Sequence, residues 1–164
     1  MNRAICIAAL VAAAFPTAAA LAAEPRRIPE ERANFFDDPF AQVTHAIAEC
    51  PVPHGPEITR EDMRRQTHYR AERGLRCYQA GKCRLPSSYM YDKEIIARVE
   101  KAIRVDGRFT DSSIWAEGQR RWVWLKGCVR SAEEAKAAVQ LVREIDDVER
   151  VFDELQVWKK AGAK

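Results

Sequence analysis

The sequence predicts an α+β fold in which a small mixed module follows a helical, disulfide-linked extension. Segment 92–158 changes between helical and strand periodicity in the order helix, strand, strand, helix, strand. Segment 24–91 is less regular but carries two stretches with helix start and stop signals. Both follow a leader-like segment 1–23, and a short basic tail, 159–164, closes the chain.

The composition is that of an ordinary globular protein. The 164 residues are 47% hydrophobic and 31% charged, with a formal net charge of +3. The excess of 27 Lys and Arg over 24 Asp and Glu is too small for the dense basic stripe that a phosphate backbone requires. We therefore expect no nucleic-acid partner.

The N-terminus has the three parts of a secretory signal peptide. Arg3 supplies the positive start, Ala4–Phe15 the apolar stretch and Ala20–Ala23 the small-residue end. A membrane anchor is disfavoured because Pro16 interrupts the apolar stretch, and a lipoprotein because Cys6 lies too early. We expect an exported, periplasmic protein whose mature chain has no transmembrane segment.

Four cysteines remain after the predicted leader, and an even number in an oxidising compartment indicates two disulfides. Three pairings are possible. We favour Cys77 with Cys83, because Gly81 can turn the short loop between them, which leaves Cys50 for Cys128.

The extension carries two candidate helices. Asp38–Pro39 can start the first, which would present Phe40, Val43, Ile47 and Cys50 on one face before Pro51 ends it. The second is predicted over Arg60–Arg73, with Thr59 as N-cap and Gly74 at its end. Between Glu57 and Arg84 there are eight Lys or Arg against four Asp or Glu.

The elements of the module are more clearly marked. Asp92 is the expected N-cap of a helix that Asp106–Gly107 ends. A hairpin follows, with alternating strands on either side of Gln119–Arg121. Ser131 and Glu134 form a capping box for the next helix, and a strand containing Val151, Leu155 and Val157 completes a three-stranded sheet.

This segment resembles the BON domain, a module of bacterial envelope proteins. The resemblance lies in Ile96, Val99 and Ile103, in Val123–Val129 with its glycine, and in Val148, Val151, Leu155 and Val157. It implies a small non-catalytic fold that binds phospholipid or envelope partners, in a context of stress response. The chain departs from the family at Asp147, where a glycine is usual, and at Gln119–Arg121, where an Asn-Gly turn is usual.

One face of the predicted sheet is aromatic, because the positions that alternate with the core residues are large rings. These alternates are Trp115, Trp122, Trp124, Cys128, Phe152 and Trp158. Either the extension covers them, tethered by a Cys50–Cys128 bond, or they form a binding surface. The two interpretations are compatible if only some rings are covered.

The candidate ligand is anionic phospholipid. The alternative is a protein-interaction or structural component of the envelope stress response with no lipid ligand, in which the basic helix meets a partner protein. The candidate binding residues are Arg60, Arg64, Arg65, Arg70, Arg73, Trp115, Trp122, Trp124 and Trp158. Most charge-rich helices are simply solvated, and Glu61 with Arg65 is a favourable i, i+4 pair within this one.

Catalytic and metal chemistry find little support in the residues. Cys50, His54, His68, Cys77 and Cys83 include zinc-ligand types, but they contain no CxxC pair and disulfide formation competes. No nucleophile elbow, phosphate-binding glycine loop or dinucleotide fingerprint is present. We therefore expect a monomeric, non-enzymatic protein with no catalytic residues, no metal and no cofactor.

Overall fold

The computed structural model describes residues 30–159, so the predicted signal peptide and nearly all of the basic tail lie outside the described residues. The strands are β1 (Arg32–Ala33), β2 (Phe40–Gln42), β3 (Ile58–Thr59), β4 (Ser113–Gln119), β5 (Trp122–Val129) and β6 (Arg150–Val157). The helices are α1 (Arg60–Gln79), α2 (Asp92–Asp106) and α3 (Ala132–Arg143), with a 3₁₀ turn at Ser88–Tyr91.

The predicted α+β class and module order are confirmed, but the main sheet has four strands. Its order is β2-β4-β5-β6, with β5 and β6 parallel and the other pairs antiparallel. The additional strand, β2, comes from the extension and pairs with the free edge of β4. A separate two-stranded sheet joins β1 to β3.

The hydrophobic core lies between the main sheet and helices α2 and α3. Alternate residues of β4 and β5 supply one side of this core, including Ile114, Val123 and Leu125, all fully buried. Helix α2 contributes Val99 and Ile103 from its apolar stripe. Helix α3 contributes a second apolar stripe: Ala135, Ala138, Val139 and Val142 are buried and Ile145 packs against them.

The predicted helix at Asp38–Cys50 is wrong. Its apolar residues recur at helical spacing but pack on two different sides of the sheet: Val43 joins the main core, whereas Ile47 and Cys50 join a smaller cluster on the opposite face. After β2 the chain continues along the end of β4, where the N–H of Val43 donates to the oxygen of Ile114 at 2.7 Å. The tertiary pairing with a free strand edge therefore overrides the local pattern.

Helix α1 begins as predicted and ends later than predicted. The Thr59 hydroxyl accepts a hydrogen bond from the N–H of Asp62 at 3.1 Å, which confirms the N-cap. The helix continues through Gly74 because this glycine provides close packing rather than a stop. A Cβ atom at Gly74 would lie 2.5 Å from the Ser87 hydroxyl oxygen.

Asp92 has a different role from the predicted N-cap of α2. It is the first helical residue, Tyr91 is the N-cap, and the Asp92 carboxylate turns to the β4–β5 hairpin instead. The predicted end of α2 is confirmed, since Gly107 has a φ of 76°. Ser131 caps α3 by accepting from the N–H of Glu134 at 3.1 Å.

Two loops keep a left-handed backbone without glycine. Arg120 and Arg121 in the hairpin turn have φ values of 60° and 66°, and Asp147 before β6 has a φ of 70°. These are the positions at which the chain departs from the expected Asn-Gly and Gly residues. The turn geometry is thus preserved by residues for which it is costly.

Helix α1 has the length of a bilayer-spanning helix but a strongly polar sequence. Within residues 30–159, no helix combines the length and the apolar character that crossing a membrane requires.

Candidate functional site

The aromatic face of the sheet is divided into a covered half and an open half. In the covered half, Trp115 is only 5% exposed and packs with Ile47 and with the Cys50–Cys128 disulfide. Trp158 is partly buried against the same cluster. The extension therefore covers this half, although it does so with irregular chain that follows β2 rather than with the predicted helix.

An ion pair lies between the two halves. The Lys126 ammonium is 2.6 Å from the Glu117 carboxylate and also donates to the backbone oxygen of His54 at 2.9 Å. Burial raises the pKa of Glu117, and the hydrogen bond and charge of Lys126 oppose that shift. The pair thus places a polar boundary across the face.

Three half-buried rings form the open half, here called the aromatic patch: Trp122, Trp124 and Phe152. The rings of Trp124 and Phe152 stack with centroids 4.8 Å apart, and that of Trp122 is tilted 5.4 Å from Phe152. Such ring pairs stabilise one another beyond the area that they bury. The patch is consequently an ordered surface rather than a set of separate side chains.

Two arginines flank the patch. The guanidinium of Arg120 lies 3.8 Å from the ring centre of Trp122, and that of Arg150 lies 5.2 Å from it. The indole N–H of Trp122 is buried and has no hydrogen-bond acceptor among the described residues. Sequence reasoning did not select either arginine; the only signal was their position in, or next to, the strands that carry the rings.

Arg70 differs most from the other candidate arginines, because its guanidinium is already bound. It is 8% exposed, forms a two-pronged pair with Asp38, and lies between the rings of Phe36 and Tyr89, each 4.1 Å away. Gln119 donates to the same carboxylate at 3.1 Å. Arg70 joins α1 to the sheet and cannot also meet a ligand at the surface.

The remaining candidate arginines lie along α1 in different environments. Arg65 pairs with Glu61 at 2.8 Å, as predicted, and also with Asp62. Arg60 lies 5.1 Å from the ring centre of Phe35, and Arg64 is exposed. Among these arginines only Arg73 reaches the neighbourhood of the patch, where it lines a cavity together with Arg120.

Both predicted disulfides are present. Cys50 and Cys128 are joined across 78 residues of sequence, and Cys77 and Cys83 across six. Gly81 has a φ of 68° in the short loop, as its predicted role in the turn requires. Because each of the four sulfurs belongs to one of these two disulfides, none is a free thiolate for a metal or a substrate.

The other polar side chains that could take part in chemistry are dispersed. His68 pairs with Glu72 on the surface of α1, and His45 is exposed in the segment after β2. Asp147 accepts from Arg98 at 3.2 Å and stabilises the loop before β6. Residues 30–159 contain no group of three His, Cys, Asp or Glu side chains placed to hold a metal ion.

The fold and the family comparison agree on the module. A search of curated proteins gives no match. The family profile of the BON domain matches residues 91–158, which begin at the N-cap of α2 and end just after β6. This family is generally non-catalytic and is associated with envelope and osmotic-stress proteins and with possible phospholipid binding. Residues 91–158 of the chain are therefore a BON-family domain, extended at its N-terminal side by β1 to α1.

Proposed function

We propose that the protein is a non-catalytic binding module of the bacterial periplasm that associates with anionic phospholipid surfaces through the aromatic patch. The observation that carries this proposal is the contact between half-buried rings and two arginines that form no ion pair within residues 30–159. Trp122, Trp124 and Phe152 are half-buried, and the guanidinium groups of Arg120 and Arg150 both lie over the ring of Trp122.

The chemistry of a bilayer surface matches this arrangement. Tryptophan rings favour the boundary between headgroups and acyl chains, where one side of the ring is apolar and the other wet. A basic residue near an anionic membrane contributes about 1 kcal/mol to binding. Two arginines and three rings therefore give a modest, reversible and salt-sensitive association.

The compartment is inferred from the leader and the cysteines together. A signal peptide over residues 1–23 would export the chain, and two disulfides are stable in an oxidising compartment. The relation of the BON family to envelope proteins favours the periplasm over the extracellular medium.

A second candidate is a protein-binding role for α1. Tyr69, Leu75 and Tyr78 are 41–50% exposed on this helix, which is also rich in arginine. Tyrosine and arginine are enriched in protein interfaces. In that case the protein is an interaction component of the envelope without a lipid ligand.

Tryptophan emission during vesicle titration tests the proposal. We expect the oxidised protein to co-sediment with anionic vesicles but not with neutral ones, to lose binding at high salt, and to shift its emission to the blue. Replacing Trp122 and Trp124 with phenylalanine should remove the blue shift. The matched double variant at Trp115 and Trp158, in the covered half, should retain it.

Absence of binding to either vesicle type would reject the lipid proposal in favour of the α1 interface. A blue shift that depends on Trp115 and Trp158 would also contradict it, since those rings belong to the covered half.

A further inference from the structure

A cavity of about 250 Å³, here called the basic cavity, lies beside the aromatic patch. Three separate segments supply its cations: α1 provides Arg73 and Arg76, the loop closed by the short disulfide provides Lys82, and the hairpin turn provides Arg120. The BON-matched segment supplies only Arg120 of these four, so the cavity exists because the extension packs against the domain.

The positive charge in the cavity is not balanced by the residues that the structure describes. Among residues 30–159, none of the four cations forms an ion pair or a side-chain hydrogen bond, whereas Arg84 and Arg98 both pair with Asp147. Glu149 is the one carboxylate among the described residues that line the cavity. The lining thus carries an excess of three positive charges.

Two of these cations are held in place before any ligand arrives. The Arg73 guanidinium lies 3.7 Å from the ring centre of Tyr69, and that of Arg120 lies 3.8 Å from Trp122. A guanidinium stacked by its face on a ring keeps the N–H groups of its edge for a ligand. Fixed donors lose less conformational entropy on binding than mobile ones.

The cavity wall contains a further donor without a partner. Ser88 is 2% exposed, and its hydroxyl has no hydrogen-bond partner within residues 30–159. Buried hydroxyls are nearly always hydrogen-bonded, and the Ser88 hydroxyl can donate to an oxygen atom of an anion once its side chain turns toward the cavity.

The dipole of helix α1 explains only part of this cluster of cations. Cations near a helix C-terminus are favourable, which accounts for Arg76 in the last turn of α1. It does not account for Arg120, which comes from a different element and adopts a strained left-handed backbone there. A ligand that contacts both Arg76 and Arg120 explains why the two side chains line the same cavity.

We propose that the basic cavity binds a phosphate group in its dianionic form, either as free phosphate or as a phosphate monoester. Forked guanidinium edges match phosphate oxygens, and a doubly charged group offsets more of the threefold excess than a phosphodiester with one charge. The proposal does not depend on membrane association through the aromatic patch, because a soluble ligand can enter the cavity.

Titration calorimetry at constant ionic strength tests it with the oxidised protein. The probes are inorganic phosphate, glycerol 3-phosphate as a monoester and dimethyl phosphate as a diester. We expect the first two to bind and the diester to bind at least about tenfold more weakly. Arg76→Gln should weaken phosphate binding about tenfold or more. Arg64→Gln, which makes the same charge change elsewhere on α1, should leave it nearly unchanged.

A variant that is expected to strengthen phosphate binding distinguishes an effect on binding from a loss of folding. Glu149→Gln should tighten phosphate binding, because it removes the carboxylate that lines the cavity, whereas Glu49→Gln on a remote loop should have no effect. The main-chain N–H of Glu149, which donates to Arg121 at 2.8 Å, is unaffected by this change.

Vesicles that carry a lipid phosphate monoester identify the source of the phosphate. Stronger binding to them than to glycerol 3-phosphate, lost in Arg76→Gln, would indicate a lipid headgroup; equal binding would indicate a free phosphate. Trp124→Ala should impair vesicle binding through the aromatic patch without affecting the binding of inorganic phosphate. The proposal of lipid association and the proposal of a phosphate site can therefore be rejected independently of each other. No binding of any phosphate probe, or equal binding of the diester, would overturn the inference.

Discussion

The carboxylate of Asp92 accepts a hydrogen bond from the backbone N–H of Arg120 at 2.6 Å. Its other oxygen accepts from the N–H of Arg121, also at 2.6 Å. A buried side chain at the start of α2 thereby fixes the turn of the β4–β5 hairpin. The turn in turn places the Arg120 guanidinium between the aromatic patch and the basic cavity.

Asp92 should make folding stability depend on pH. Burial raises its pKa from 3.8 to about 6, more than the two backbone hydrogen bonds lower it. Because the folded state binds the proton more tightly than the unfolded state, the contribution of Asp92 is fully present below its unfolded value. It is lost as the pH rises through about 6.

Urea unfolding of Asp92→Asn at several pH values measures this contribution. The variant does not titrate at residue 92, while its other carboxyl groups are those of the wild type. We expect the free-energy difference between wild type and variant to shift in favour of the wild type by about 2–3 kcal/mol between pH 7.5 and 4. Parallel pH profiles for the two proteins would contradict this expectation.

The contact of the Arg120 side chain with Trp122 should offset the strain of its left-handed backbone. Its φ of 60° disfavours any residue with a Cβ by about 1 kcal/mol, and its contact with Trp122 returns about 0.5–1 kcal/mol. Arg120→Gly removes both effects, so we expect little change in the free energy of unfolding. Arg120→Ala keeps the strain but loses the contact.

The glycine variant should therefore be more stable than the alanine variant by about 1 kcal/mol in urea unfolding. Both variants should bind inorganic phosphate more weakly than wild type. An alanine variant at least as stable as the glycine variant would mean that the left-handed conformation carries no cost at this turn.

The BON-family part of the fold was largely predictable from sequence, because its signals are local. Ser131 caps α3, Gly107 ends α2, and the alternation of β4 and β5 follows the pleat of the sheet. Both disulfides were also predicted, one from the position of Gly81 and the other by elimination.

The extension was predicted less well, because its structure depends on contacts with distant residues. The spacing of Val43, Ile47 and Cys50 fits a helix equally well, and only the free edge of β4 selects an extended path. The site shows the same limit. The sequence indicated an arginine-rich helix as the candidate binding surface. Only the tertiary structure shows that Arg70 is already paired with Asp38 and that Arg120 lines the basic cavity.

Arg70 and Asp38 should be strongly coupled in stability. Arg70→Gln leaves the 6%-exposed Asp38 carboxylate without its cation, which costs about 3–5 kcal/mol for a buried pair. Asp38→Asn should cost a similar amount. The double variant should be less destabilised than the sum of the two, because it buries no unpaired charge. Additive effects in chemical unfolding would show that the pair is not coupled.

Gly127 should tolerate substitution far less well than Gly107, although both have a positive φ. A Cβ at Gly127 would lie 2.2 Å from the Ser113 carbonyl oxygen and 2.8 Å from the Trp115 ring. At Gly107, apart from the adjoining chain, no atom of residues 30–159 lies within 4 Å of that position. We expect Gly107→Ala to cost about 1 kcal/mol from backbone strain alone.

Gly127→Ala should cost more than about 2 kcal/mol, since strand β4 or the Trp115 ring must move. Thermal unfolding of the two variants measures the difference. Equal losses of stability would indicate that the β4–β5 contact relaxes without cost.

The Cys50–Cys128 disulfide should stabilise both the chain and the cover over Trp115. Closing a loop across 78 residues contributes about 4–5 kcal/mol in the chain-entropy model. The double variant Cys50→Ala, Cys128→Ala should lose a large part of this stabilisation free energy and release the segment that buries Trp115. Its native-state tryptophan emission should shift to the red, whereas the matched variant Cys77→Ala, Cys83→Ala, remote from Trp115, should keep the wild-type emission. An unchanged spectrum in the first variant would mean that Ile47 and the pairing beside β4 hold the cover without the covalent bond.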